Sequence, residues 1–127
     1  MPVIKLGGIS QLGAITGFSG FITKVEIDDI LVYPGTRSIE LEEGKTIGIR
    51  VYYSVTPLGD IGFDYWTVGV SCTMAGQFGH DNSKHEGPGT ETGNPVIGNL
   101  KVPATDSTLT IKLWAIDAHL NVPAPPG

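Results

Sequence analysis

Residues 46–55, "TIGIRVYYSV", alternate between apolar side chains and polar or small ones. A period of two is the pattern of a β-strand that buries one face against a core. One predicted face carries Ile47, Ile49, Val51, Tyr53 and Val55, and the other carries Gly48, Arg50, Tyr52 and Ser54. We therefore place this segment in a sheet that has one buried side.

Two further segments show the same alternation, residues 65–74 ("YWTVGVSCTM") and 107–117 ("STLTIKLWAID"). Their predicted inward residues are Trp66, Val68, Val70, Cys72, Met74, Leu109, Ile111, Leu113 and Ala115. Shorter apolar runs predict strands at 3–6, 21–28, 30–33, 38–41 and 96–102, and turn-forming Gly, Pro and Asp residues separate them. No segment sustains a helical period. The chain is predicted to be an all-β protein with a single antiparallel β-sandwich of about seven or eight strands.

Composition limits the classes of function. The chain has 127 residues, of which 40% are hydrophobic and 17% charged, so it is predicted to be one globular domain rather than a disordered segment. A net charge of −5 without a basic stripe argues against nucleic acid as a partner. No apolar run is long enough for a membrane span. The single cysteine, Cys72, excludes an internal disulfide and a cysteine-rich zinc site.

Two motifs carry a family resemblance. An acidic Glu-Gly-Lys turn leads into the first long strand in "LEEGKTIGIRVYYSV" (residues 41–55), and the last strand, "TLTIKLWAID" (108–117), alternates up to a final aspartate. Over residues 20–118 the chain resembles immunoglobulin-like sandwiches of the adhesion-related type, found in bacterial and archaeal surface proteins and as accessory domains on phage virions. The resemblance implies a scaffold, spacer or binding surface rather than catalysis. The cysteine pair of antibody domains is missing, because Cys72 has no mate.

The ends of the chain differ from its centre. We predict an apolar, glycine-rich N-terminal arm at 1–19, the β-sandwich domain at 20–118 and a proline-rich C-terminal tail at 119–127. A glycine-rich arm with large apolar side chains is suited to adding a strand to a partner's open sheet edge. The side chains predicted to make that contact are Ile9, Leu12, Ile15 and Phe18.

Four large side chains fall on the faces opposite the core sets, namely Tyr52, Tyr65, Trp114 and Ile116. If their strands are neighbours, these side chains form an exposed apolar face, which is typical of an interface or a ligand platform. The alternative is that a long loop or an N-terminal arm covers them, and the arm could come from a neighbouring subunit.

The most polar stretch is residues 77–95, "QFGHDNSKHEGPGTETGNP", which we predict to be a long solvated loop. It holds the metal-ligand types His80, Asp81, His85 and Glu86. No predicted strand or helix holds these side chains in place, so we favour a loop without metal and predict no cofactor.

These observations favour a non-enzymatic structural protein that assembles with copies of itself. The expected settings are a virion, as a decoration or tail component, or an extracellular filament or layer, where a capsid or cell-surface protein is a further candidate partner. The alternative is a carbohydrate-binding or surface-binding module that uses Trp114, Tyr52 and Tyr65 as a stacking platform. A metal-dependent enzyme using His80, Asp81, His85 and Glu86 is the third hypothesis.

Overall fold

The computed structural model describes residues 1–10, 17–58 and 65–117. These residues form two β-sheets and no helix, which confirms the all-β prediction. Ten strands are present in the described ranges, more than the seven or eight predicted. They are β1 (Val3–Ser10), β2 (Phe18–Ile27), β3 (Ile30–Tyr33), β4 (Ser38–Glu40), β5 (Thr46–Pro57), β6 (Tyr65–Met74), β7 (Gln77–Glu86), β8 (Glu91–Gly93), β9 (Val96–Lys101) and β10 (Ser107–Asp117).

The first sheet, sheet A, has the strand order β4-β1-β10-β6-β7. The second, sheet B, has the order β3-β2-β5-β8, and β9 also pairs with β5. Most neighbours are antiparallel, but β1 runs parallel to β10, which corrects the expectation of a purely antiparallel sandwich. In the described part of the chain, no helix has the length and apolar character that crossing a membrane requires.

One apolar cluster fills the space between the sheets. The predicted inward residues of β5, β6 and β10 are all buried in it, as the alternation indicated. Each of these strands has neighbours on both sides within its sheet, and its inner face packs against the opposite sheet. The three segments with the clearest alternation therefore form the centre of the molecule.

Residues 3–10 are part of this sandwich, which corrects their assignment to an N-terminal arm. They form β1, which lies between β4 and β10. Ile4 and Leu6 are buried, and Ile9 packs against the core beyond an irregularity in the β1–β10 register. Phe18 is also buried, at the start of β2. The physical reason is that β1 pairs its own backbone along β10 while burying these apolar side chains.

Leu12, Ile15 and the predicted tail at 119–127 lie outside the described residues.

Two tight hairpins orient the edges of the sheets. Asp28 and Asp29 join β2 to β3 with φ values of 48° and 67°, and Ala75 and Gly76 join β6 to β7 with φ values of 49° and 78°. Two-residue turns with positive φ at both positions match the twist of antiparallel strands. The second hairpin is what places β7 at the edge of sheet A.

Candidate functional site

The polar stretch predicted to be a loop is mostly strand. Residues 77–86 form β7, which pairs with β6 along its whole length, from Gln77 opposite Met74 to Glu86 opposite Tyr65. Glu91–Gly93 form β8 on β5. An edge strand has a neighbour on one side only and leaves much of both faces in water, so it needs no apolar alternation. The alternation of β6 supplies the register that the sequence of β7 does not show.

The four candidate metal ligands all lie on β7, but they do not converge. Successive side chains of a strand point to opposite faces. His80 and Glu86 therefore lie on the outer face of sheet A, whereas Asp81 and His85 lie on the inner face. Within the described ranges, no group of three or more His, Cys, Asp or Glu residues could hold a metal ion.

His85 is one of the residues that connect the two sheets through polar groups. Its Nε2 lies 2.8 Å from the Tyr53 hydroxyl of β5, and its ring is 4.9 Å from that of Trp66. Its Nδ1 lies 3.8 Å from a carboxylate oxygen of Glu91 in β8. Burial lowers the pKa of His85, and the nearby Glu91 charge opposes that shift only in part. The neutral imidazole is thus the form that this position favours.

The Tyr53 hydroxyl reaches this contact from inside the core. Burial raises the pKa of Tyr53 to about 12, a hydrogen bond with Ser83 works against the rise, and the charges of Glu91 and Asp81 add to it. The tyrosine ring passes over Gly93, where any side chain would overlap it. The cluster therefore joins β7 to sheet B with a neutral phenol and a neutral imidazole.

A second set of contacts ties the start of β7 to β9. The Gln77 side chain donates to the Lys101 carbonyl and accepts from the Lys101 amide, both at 2.8 Å. The Asn99 amide donates to the Phe78 carbonyl at 3.0 Å. These bonds close the gap between the sheets near the hairpin, so the beginning of β7 has partners on both sides.

Beyond this closure the outer backbone edge of β7 is open. In a two-residue hairpin the residues that flank the turn bond to each other, so Gln77 and every second residue after it face β6. The backbone groups of His80, Asn82, Lys84 and Glu86 point away from β6. The Asn82 amide donates to the Asp81 carboxylate at 2.9 Å, and the structure gives the other groups no partner among the described residues. We call residues 80–86 the β7 edge.

The predicted outer aromatic face forms only in part. Trp114 is on the outer face of sheet A as predicted, but it is only 3% exposed. Its ring lies against Gly69 of β6, and its indole N–H donates to the Ser71 hydroxyl at 3.0 Å. A glycine opposite the tryptophan leaves room for the ring to lie flat on the sheet. Trp114 is therefore not an exposed contact residue.

Tyr65 and Ile116 share the outer face of sheet A with Trp114, because β6 and β10 pair, whereas Tyr52 lies elsewhere. Tyr52 lies on sheet B, where its hydroxyl donates to Glu26 and the Lys24 ammonium sits 4.3 Å from its ring centre. Tyr65 is 48% exposed on sheet A, and Ile116 is half-buried on the same sheet. Alternation assigns a side chain to one face of its own strand, but it does not say which strands share a sheet.

The remaining reactive group is inert. Cys72 is fully buried in β6, and burial raises the pKa of its thiol to about 12. A thiol that stays protonated is a poor nucleophile and a poor metal ligand. This agrees with its predicted position in the core.

Comparison of the chain with protein-family models, with curated proteins and with solved structures finds no match.

Proposed function

We propose that this protein is a non-enzymatic structural protein that assembles with copies of itself. The observation that carries the proposal is the β7 edge, along which residues 80–86 present backbone donors and acceptors with no β-strand beside them in the described structure. An unpaired strand edge is a template for another strand, because main-chain hydrogen bonds supply affinity and the flanking side chains supply specificity.

The other edge strands are shorter than β7, although β3 pairs with β2 only at Val25–Ile27 and leaves residues 18–24 of β2 without a strand on that side in the described structure. The edge strands β3, β4 and β8 have four, three and three residues. β9 has six residues. Hydrogen bonds from the Gln77 side chain of β7 and the Asn99 side chain of β9 link these two strands. Short or covered edges are the usual protection against unwanted pairing. At ten residues, β7 is the longest edge strand in the described sheets.

We extend the proposal to the setting. The immunoglobulin-like character and the placement in a virion or an extracellular layer rest on the resemblance of residues 41–55 and 108–117 to adhesion-related sandwiches. In the fold these segments supply the turn before β5, most of β5 and nearly all of β10, and both strands are central in their sheets. In such a setting a capsid or cell-surface protein could anchor the assembly, while copies of this chain extend it.

The test is the mass of the protein in solution as a function of its concentration. Light scattering and sedimentation should show a mass that rises from monomer to oligomer as the concentration increases, because association follows mass action. A chain that remains a monomer up to about 1 mM, where even weak pairing would be populated, would contradict self-assembly.

A further inference from the structure

We propose that two copies of this chain pair antiparallel through their β7 edges, about a two-fold axis that passes between the Ser83 residues of the two copies. The inference rests on the proposed self-assembly and specifies its contact. It joins sheet A of one copy to sheet A of the other as one continuous sheet. The partner is therefore a second copy of the same edge rather than an unrelated strand.

The backbone limits the registers that are possible. Only His80, Asn82, Lys84 and Glu86 direct their backbone groups outward, so these residues must bond to the same set in the second copy. In an antiparallel pair, facing residues alternate between bonded and non-bonded positions. A two-fold axis at Ser83 pairs all four of these residues, one at Asn82 or Lys84 pairs three, and one at Asp81 or His85 pairs only two.

Charge selects among these registers. With the axis at Ser83, His80 faces Glu86 of the second copy and Asp81 faces His85 of the second copy, so each imidazole meets a carboxylate. With the axis at Lys84, the two Lys84 ammonium groups would face each other. With the axis at Asn82, His80 would face Lys84. An imidazole N–H can donate to a carboxylate without carrying a charge, whereas two facing ammonium groups destabilise a strand pair.

The side chains in this register also respect the faces of the sheet. Directly opposed residues share a face, so the His80–Glu86 contacts form on the outer face and the Asp81–His85 contacts on the inner face. His85 already uses Nε2 for Tyr53, whereas its Nδ1 lies 3.8 Å from Glu91, beyond hydrogen-bond distance. That Nδ1 is the group that a carboxylate from the second copy can bind.

Pairing requires one rearrangement within each copy. The Asp81 carboxylate now accepts a hydrogen bond of 2.9 Å from the Asn82 amide, and it must release this amide so that the amide can bond to the second strand. The carboxylate then turns to His85 of the second copy. Until that happens Asp81 covers the edge, and with Lys84 it disfavours strands that lack the complementary charges.

The axis position can be tested with single cysteines. In this register the two Ser83 residues form a non-bonded antiparallel pair with Cα atoms about 4.5 Å apart, which is within the range that a disulfide spans. Ser83→Cys should therefore give a covalent dimer under mild oxidation. Asn82→Cys is the control, because its side chain makes none of the proposed contacts and its two copies would lie roughly 9 Å apart, too far for a disulfide. The native Cys72 is fully buried and adds no background.

We expect Ser83→Cys to cross-link at least about 10-fold faster than Asn82→Cys. Lys84→Pro should lower the association constant at least about 10-fold relative to Lys84→Ala, because proline removes an outward N–H while the ladder to β6 stays intact. If wild-type protein assembles but Ser83→Cys links no faster than Asn82→Cys, or Lys84→Pro assembles like Lys84→Ala, this contact is wrong and self-assembly stands. If wild-type protein stays monomeric at every concentration, the proposed function fails with it.

Discussion

Gly69 leaves the space that the Trp114 ring occupies on the neighbouring strand. The two residues face each other across β6 and β10, and a Cβ on Gly69 would overlap the indole ring. Because glycine leaves that space empty, the ring lies flat on the outer face of sheet A, and its N–H reaches Ser71 at 3.0 Å. Trp114, which strand alternation would place in water, is 3% exposed.

Gly69→Ala should therefore be destabilising. The new methyl group would displace the indole and break its hydrogen bond, which should lower the free energy of unfolding by about 1–3 kcal/mol, as for other overpacked sites. Urea denaturation of the two proteins measures the difference. Gly98→Ala is the matched control, because a Cβ on Gly98 of β9 would meet nothing within 4 Å, and its effect should stay within about 0.5 kcal/mol. Equal losses in both variants would show that Trp114 does not depend on the space at Gly69.

At the scale of elements, the β6–β7 hairpin determines the candidate site. The hairpin fixes the pairing register between β6, which is apolar, and β7, whose own residues are mostly polar. That register determines which backbone groups of β7 face outward. Its turn is not optimal, because Ala75 adopts a φ of 49° that alanine disfavours. Asparagine tolerates this conformation better and precedes glycine in the preferred two-residue turn.

Ala75→Asn should stabilise the protein by about 0.5–1 kcal/mol, since it removes part of the left-handed cost without changing any strand contact. The urea midpoint should rise with an unchanged slope. Gly76→Ala at a φ of 78° should have the opposite sign, because it introduces the same cost at the next position. A midpoint that falls in Ala75→Asn would mean that this turn does not hold the geometry described above.

At the scale of the whole molecule, the two sheets share an apolar core but have few polar links. The contact between His85 of sheet A and Tyr53 of sheet B is one of these links, and Glu91 and Trp66 also border the imidazole. Because the folded state lowers the pKa of His85 below the ordinary histidine value of 6.5, the unfolded chain binds a proton there more readily.

The stability from neutral His85 is therefore fully present above pH 6.5 and is lost as the pH falls through the lowered, folded-state pKa. The free energy of unfolding should decrease between pH 7.5 and about pH 5, and His85→Gln should make that decrease smaller. Denaturation at a series of pH values, with dilute protein to avoid association, measures both. His80→Gln, which replaces an exposed histidine on the outer face, serves as the control for the substitution itself. A slope that is unchanged in His85→Gln but lost in His80→Gln would contradict this account.

The sequence by itself determined which residues of the three central strands enter the core. The alternation in 46–55, 65–74 and 107–117 is local, and burying one face of a strand in water requires that pattern whichever strands lie beside it. It therefore predicted an all-β protein in which each of these strands buries one face. The Ala75-Gly76 turn between two ten-residue runs was a further local signal for the β6–β7 hairpin, and polar composition obscured it.

Only the tertiary structure decided which strands are neighbours. β1 lies beside β10, from the other end of the described chain, and this pairing made the predicted arm at residues 3–10 part of the sandwich. Pairing also set Tyr52 and Trp114 on different sheets and turned residues 77–86 into an edge strand with an open side. The physical reason is that hydrogen bonds between strands join backbone groups, which are alike in nearly every residue. A side-chain pattern can therefore show that a strand has a buried face without showing which strand lies next to it.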